Sequence, residues 1–158
     1  MAEGLLRHDA GDRFEVFSAG TRPSAVRPKA IAVMRELGID LASHRSKHVD
    51  SFAGQAFDYV LTVCDNAKEI CPIFPGQAVR IHRSFDDPAM FAGSEEARLA
   101  VFRRVRDEIR DYLRTFACGL WIEGGNNIFL TVTFVTTLRL ICSSNGGAAM
   151  YAATVLYR

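Results

Sequence analysis

The chain has 158 residues, 49% of them hydrophobic, which is enough for one domain with a substantial core. Nineteen basic against eighteen acidic side chains leave a formal charge of +1, a balance that gives no reason to expect binding to nucleic acid or to an anionic membrane surface. The opening MAEGLLRH is not a charged-then-apolar signal peptide, so the expected compartment is a reducing cytoplasm, where thiols stay free.

Met1 to His8 has helix-forming composition. Phe14 to Gly20 (FEVFSAG) reads as a strand, and Pro28 to Leu37 carries Ile31, Met34 and Leu37 at helical spacing before Gly38, an expected helix C-terminus. The basic cluster His44-Arg-Ser-Lys-His48 has two readings, an oxyanion-attracting patch or a solvated loop. Tyr59 to Val63 is a short apolar run with a β-branched bias, as expected of a parallel strand covered on both faces. Its carboxyl end is where chemistry belongs, and Cys64 follows there.

Asn66 and Glu69 are spaced as a capping box, and Pro72 stops any helix they start. Cys64 and Cys71 are then separated by two helical turns, roughly 10 Å along the axis at 1.5 Å per residue. A disulfide between them requires that helix to unwind, and Pro72, Pro75 and Gly76 suit such a rearranged loop. Three readings stay open at the level of residues. Cys64 is an attacking thiol, favoured by the helix start, with Cys71 as its resolving partner; both are small core hydrophobes; or both join His44, His48 or His82 around zinc, against which stands a spacing of six intervening residues.

Gln77 to His82 reads as a strand leading into Asp86-Asp87-Pro88. Pro88 holds Asp87 extended, so its carboxyl can project as an acid or cap the turn. From Ser94, a fair N-cap followed by Glu95 and Glu96, a long amphipathic helix carries Leu99, Phe102, Val105, Ile109, Leu113 and Phe116 on one stripe, a core-facing surface. After Phe116 the composition breaks: from Ala117 to Arg158 only Glu123, Arg139 and Arg158 are charged. The strand-like run Ile128 to Val135 is too short for a membrane helix, which needs about 20 apolar residues.

The segments VLTVCDNAKEICPIFPG and SFDDPA, with Ser18-Ala-Gly-Thr21 upstream, resemble the thioredoxin-coupled arsenate reductases, which share a fold with the low-molecular-weight protein tyrosine phosphatases. The resemblance covers roughly Met1 to Phe116 and sets residues 1–116 apart from an unrelated apolar tail, 117–158. It implies an α/β fold, a doubly wound parallel sheet flanked by helices. It also implies that Cys64 and Cys71 are the second and third cysteines of a redox relay, that Asp87 is the general acid, and that thioredoxin is the reductant and arsenate or phosphate the oxyanion. Some arsenate reductases hold a potassium ion with a carboxylate near position 47; here Lys47 stands there, so neither a metal nor a cofactor is expected.

The family's first cysteine sits in a C-x5-R-S loop after the first strand. In this chain the residues six after Cys64, Cys71, Cys118 and Cys142 are Ile70, Gln77, Gly124 and Ala148, so no such motif occurs. Met1 to His8 resembles the helix just after that loop, and the expectation is a sheet whose first, central strand is missing, with Ile128 to Val135 or Val135 to Cys142 inserted in its place. Leu140 to Gly147 faintly echoes the loop, but Ala148 replaces its arginine. Three functional readings follow: an arsenate reductase inactive in this truncated form, a low-molecular-weight phosphatase, or a non-enzymatic remnant. Ala89 and Met90 after Asp87-Pro88, where phosphatases carry aromatics, weaken the second.

Overall fold

A computed structural model describes residues 1–63, 77–123, 138–144 and 154–157 of the chain. Helix α1 (Ala2–Ala10) leads into strand β1 (Phe14–Gly20), helix α2 (Pro28–Arg35), a single 3-10 turn (Val49–Phe52), strands β2 (Tyr59–Thr62) and β3 (Val79–His82), and the long helix α3 (Glu95–Glu123). Two further strands, β4 (Leu138–Ser144) and β5 (Thr154–Tyr157), come from the tail. The sheet runs β1-β4-β5-β2-β3. β1 and β4 are parallel, β2 and β3 are parallel, and β5 is antiparallel to its neighbours β4 and β2. The strands β1, β4, β2 and β3 therefore all point the same way.

Period-two alternation divides the strands between two apolar clusters. Phe14 and Val16 of β1, with Leu61 of β2 and Val63 just beyond it, face the main core, built with Leu5 and Leu6 of α1, Val33 and Met34 of α2, and Phe102, Val105, Ile109 and Leu113 of α3. On the opposite face Ala19 and Val60 join Val49, Phe52 and Phe57. Phe52 meets Phe17 and Phe57 edge-on, at 5.6 and 6.2 Å between ring centroids. β2 is thus covered on both faces, as its unbroken apolar run implies.

Helix ends follow local chemistry. Ser94 Oγ accepts from the Ala97 N–H at 3.2 Å, capping α3. Past α2, the Gly38 N–H bonds the Arg35 carbonyl and the Ile39 N–H reaches back to Met34. With Gly38 at φ +74°, this is a Schellman ending, which an L-residue with a Cβ adopts only under strain. It turns Ile39 and Leu41 back onto α1, where a Cβ on Gly4 would sit 2.7 Å from Leu41 Cδ2.

Two features extend past Phe116, where the composition changes. α3 does not stop with its apolar stripe at Phe116 but continues to Glu123, just before the Gly124-Gly125 pair, and Ala117 is buried against the core. The sheet also takes in part of the tail. β4, which overlaps the second of the two segments expected to insert, pairs along β1 from Phe14↔Leu138 to Gly20↔Ser144. The first segment, residues 128–135, lies outside the described residues, as does the expected helix between Cys64 and Cys71.

The helices are tied by buried charge. Asp9 takes a bidentate bond from Arg110, both contacts at 2.8 Å, and a third from Arg114 at 2.9 Å. Arg110, with His8 and Arg114, holds its carboxyl well below the usual carboxylate range despite partial burial. Arg106, 7% exposed, donates to the Val33 carbonyl at 2.7 Å and to Glu36 at 3.0 Å, joining α3 to the C-terminal turn of α2. Arg110→Ala is expected to lower the unfolding free energy by about 2 kcal/mol, because it leaves a mostly buried carboxylate short of its main partner. Chemical denaturation of the full chain, read as the free energy extrapolated to water, measures it.

Candidate functional site at the carboxyl edge of the sheet

Because the four strands β1, β4, β2 and β3 run the same way, the chain leaves all of them on one edge. Backbone pairing continues beyond β2 and β3: the Arg83 N–H bonds the Thr62 carbonyl at 2.9 Å, and the Phe85 N–H bonds the Val63 carbonyl at 3.3 Å. Asp87 is two residues past that last bond, and Cys64 follows Val63 in the chain. Thr62 Oγ1 lies 2.8 Å from His82 Nδ1 along the same stretch. Phe85 packs edge-on against Tyr112 of α3, with Arg83 above both rings, which anchors the segment entering the turn.

The two aspartates of the turn have different roles. Asp86 pairs with Arg104 at 2.9 Å, so its charge is engaged by α3. Asp87 Oδ1 accepts from the Ala89 N–H at 2.9 Å, and the Met90 N–H closes the turn on the Asp87 carbonyl at 3.1 Å. The capping role is therefore present, and it uses one carboxylate oxygen. Pro88 is buried, while Met90 and Phe91 are exposed beyond it. Cys64 and Cys71 lie outside the described residues. Among the described residues no group of three or more His, Cys, Asp or Glu is placed to hold a metal ion.

At the other end of this edge, the Gly20 N–H bonds the Lys47 carbonyl at 2.9 Å, drawing the basic loop 44–48 against the end of β1. The loop is not simply solvated. His48 Nδ1 accepts from the Asp50 N–H at 3.2 Å and caps the 3-10 turn, and His44 faces Glu3. Glu3, 4% exposed, is a residue that sequence reasoning passed over, since one acid in a first helical turn is ordinary. Its Oε2 accepts from Ser18 Oγ and lies 3.6 Å from His44 Nδ1; its Oε1 accepts from Arg7 at 2.7 Å. Burial alone would raise its pKa. The bonds from His44 and Ser18 and the charges of Lys47 and Arg7 outweigh burial and hold it at about 2.

The comparisons with known proteins cover this same framework. Residues 1–123 match the family described as low molecular weight phosphotyrosine protein phosphatase. The chain belongs to that family. Within it, the chain is similar to an arsenate reductase of Halalkalibacterium halodurans, 44% identical over 117 residues that make up 74% of this chain and 84% of the relative. An arsenate reductase of Bacillus subtilis is 42% identical with the same coverage. Among solved structures, an arsenate reductase in its oxidised state aligns with a TM-score of 0.60 at 29% identity, over 75% of this chain and 86% of that one. The α/β architecture of parallel strands flanked by helices is thus shared with the phosphatase-family arsenate reductases.

The Glu3 network gives the fold an acid sensitivity. With a folded pKa near 2 against an ordinary 4.5, the stabilisation from ionised Glu3 is complete above pH 4.5 and is lost as pH falls towards 2. The loss amounts to at most roughly 3.5 kcal/mol at about 1.4 kcal/mol per pH unit. Denaturant unfolding across this window should give a steeper decline for the unsubstituted chain than for Glu3→Gln, which has no charge to lose.

Proposed function

We propose that this chain carries the relay part of an arsenate reductase, with Cys64 and Cys71 as the redox pair, Asp87 as the general acid and thioredoxin as the reductant, working in a reducing cytoplasm. In the full reaction a first cysteine thiolate displaces one arsenate oxygen, which leaves as water once Asp87 has protonated it. Cys64 then attacks the sulfur of that cysteine, the two electrons of the sulfur–arsenic bond pass to arsenic, and arsenite departs. Cys71 attacks Cys64, releases the first cysteine as thiolate and forms the Cys64–Cys71 disulfide. Thioredoxin's dithiol takes up the oxidation and restores both thiols.

The observation that carries the reading is the bond from the Phe85 N–H to the Val63 carbonyl, which holds the Asp86-Asp87-Pro88 turn beside the strand that runs into Cys64. An acid whose second oxygen makes no bond to the described residues suits proton delivery, and the exposed Met90 and Phe91 leave that turn open. The similarity to arsenate reductases extends across both the relay segment and the acidic turn. None of the four cysteines is followed six residues later by arginine, the residue that would hold the oxyanion for the first attack. A polypeptide of this sequence alone is therefore expected not to turn over arsenate.

Mild oxidation followed by peptide mapping should join Cys64 to Cys71 in a disulfide that thioredoxin reduces, and Cys71→Ser should abolish it. If neither sulfur oxidises, the relay assignment fails and the two thiols are core residues. Arsenate turnover with thioredoxin should stay at background for this chain, while hydrolysis of an aryl phosphate above background would move the assignment to the phosphatase branch.

A further inference from the structure

Cations on the helices are answered by acids: Lys29 by Glu95, Arg103 by Glu36, Arg104 by Asp86, and Arg110 and Arg114 by Asp9. The end of β1 on the carboxyl edge is different. Two loops meet there, since the Gly20 N–H bonds the Lys47 carbonyl at 2.9 Å and Val26 and Arg45 line one small cavity. Arg22 and Arg45 are exposed on these loops, and among the described residues neither side chain has an ion-pair or hydrogen-bond partner. The half-buried Arg27 adds a third guanidinium, whose Nε has no hydrogen-bond partner among the described residues. The cavity itself is no place for a small oxyanion: Glu3 lines it, and an entering anion would meet that carboxylate. Of the three arginines only Arg45 is part of its lining. The positive charge therefore lies along an outward rim.

We infer that this rim is a docking surface for the acidic face of the dithiol protein that reduces the relay, an inference that rests on the thioredoxin reading above. β1 and β2 are three steps apart in the sheet, roughly 14 Å at about 4.8 Å per step. A partner patch of about 800 Å² is about 30 Å across, so a protein seated over the end of β2 also reaches the end of β1. Opposite charge at that point speeds encounter and fixes the orientation in which the two proteins meet. A nucleic acid fits less well, because its binders neutralise about 6 to 10 phosphates and the rim offers far fewer cations.

The test mixes the full chain, oxidised to its Cys64–Cys71 disulfide, with a reduced thioredoxin of net negative charge and reads the rate of disulfide reduction. That rate should fall roughly five-fold or more from about 20 to about 200 mM sodium chloride. The double variant Arg22→Gln, Arg45→Gln should start at the slower rate and depend little on salt, while dithiothreitol reduces both chains equally. Both positions are exposed, so the variant is expected to fold. Equal thioredoxin rates for the two chains would overturn the inference and leave the relay intact. A chain in which dithiothreitol finds no such disulfide would remove the relay, and the inference with it. Slowing by sodium phosphate beyond sodium chloride at equal ionic strength would make the rim an oxyanion site, and duplex DNA binding that the double variant loses would make it a nucleic-acid surface. Either result overturns the inference.

Discussion

Parallel pairing imposes one constraint on everything else in this protein: strands that run the same way deliver their carboxyl ends to the same edge. β1, β4, β2 and β3 share a direction, so Gly20, Val63 and the segment after His82 emerge together. The ladder between β2 and β3 does not stop at the strand ends. It continues through the Thr62 and Val63 carbonyls, and that continuation carries the backbone of Arg83 and Phe85 to the base of the acidic turn. The chemistry proposed for Asp87 depends on those two bonds, with the Phe85–Tyr112 contact, the Asp86–Arg104 pair on α3 and the packing of Ala89 on the core holding the turn alongside them.

A second constraint is electrostatic. Charges removed from water must be matched, and here each mostly buried charge is matched by partners on a different element. Asp9 on α1 is held by Arg110 and Arg114 on α3; Arg106 on α3 is held by the Val33 carbonyl and by Glu36 at the end of α2. Glu3 on α1 is matched by Ser18 on β1 and His44 in the following loop. These bonds fix the angles at which α1, α2 and the loop 44–48 meet, which the apolar contacts, being non-directional, leave less defined. Because each pair links segments far apart in the chain, they form only once the layers are assembled.

The place of the tail shows the limit of local propensity. Leu138 to Ser144 is apolar and β-prone, and so would pair with any available edge. In the structure it pairs in parallel along the whole of β1, within the sheet rather than outside it. The helix before it likewise crosses the change in composition at Ala117, since helix formation propagates along a chain until a breaker intervenes, and the Gly124-Gly125 pair comes later.

Periodicity, capping residues and turn chemistry were enough to locate β1, α2, β2, β3 and the start of α3, because each of those signals is read from neighbours a few residues apart. The Cys64 and Cys71 pair with its spacing and the Asp-Asp-Pro turn were likewise legible as motifs. Tertiary structure alone distinguished Asp86 from Asp87, since the partner that decides it, Arg104, is eighteen residues beyond Asp86. It alone buried Glu3 and brought it to Ser18, fifteen residues away, and to the loop ahead of Lys47. A sequence records which side chains can carry charge, but whether that charge leaves water, and what answers it there, depends on which distant segments the fold packs together.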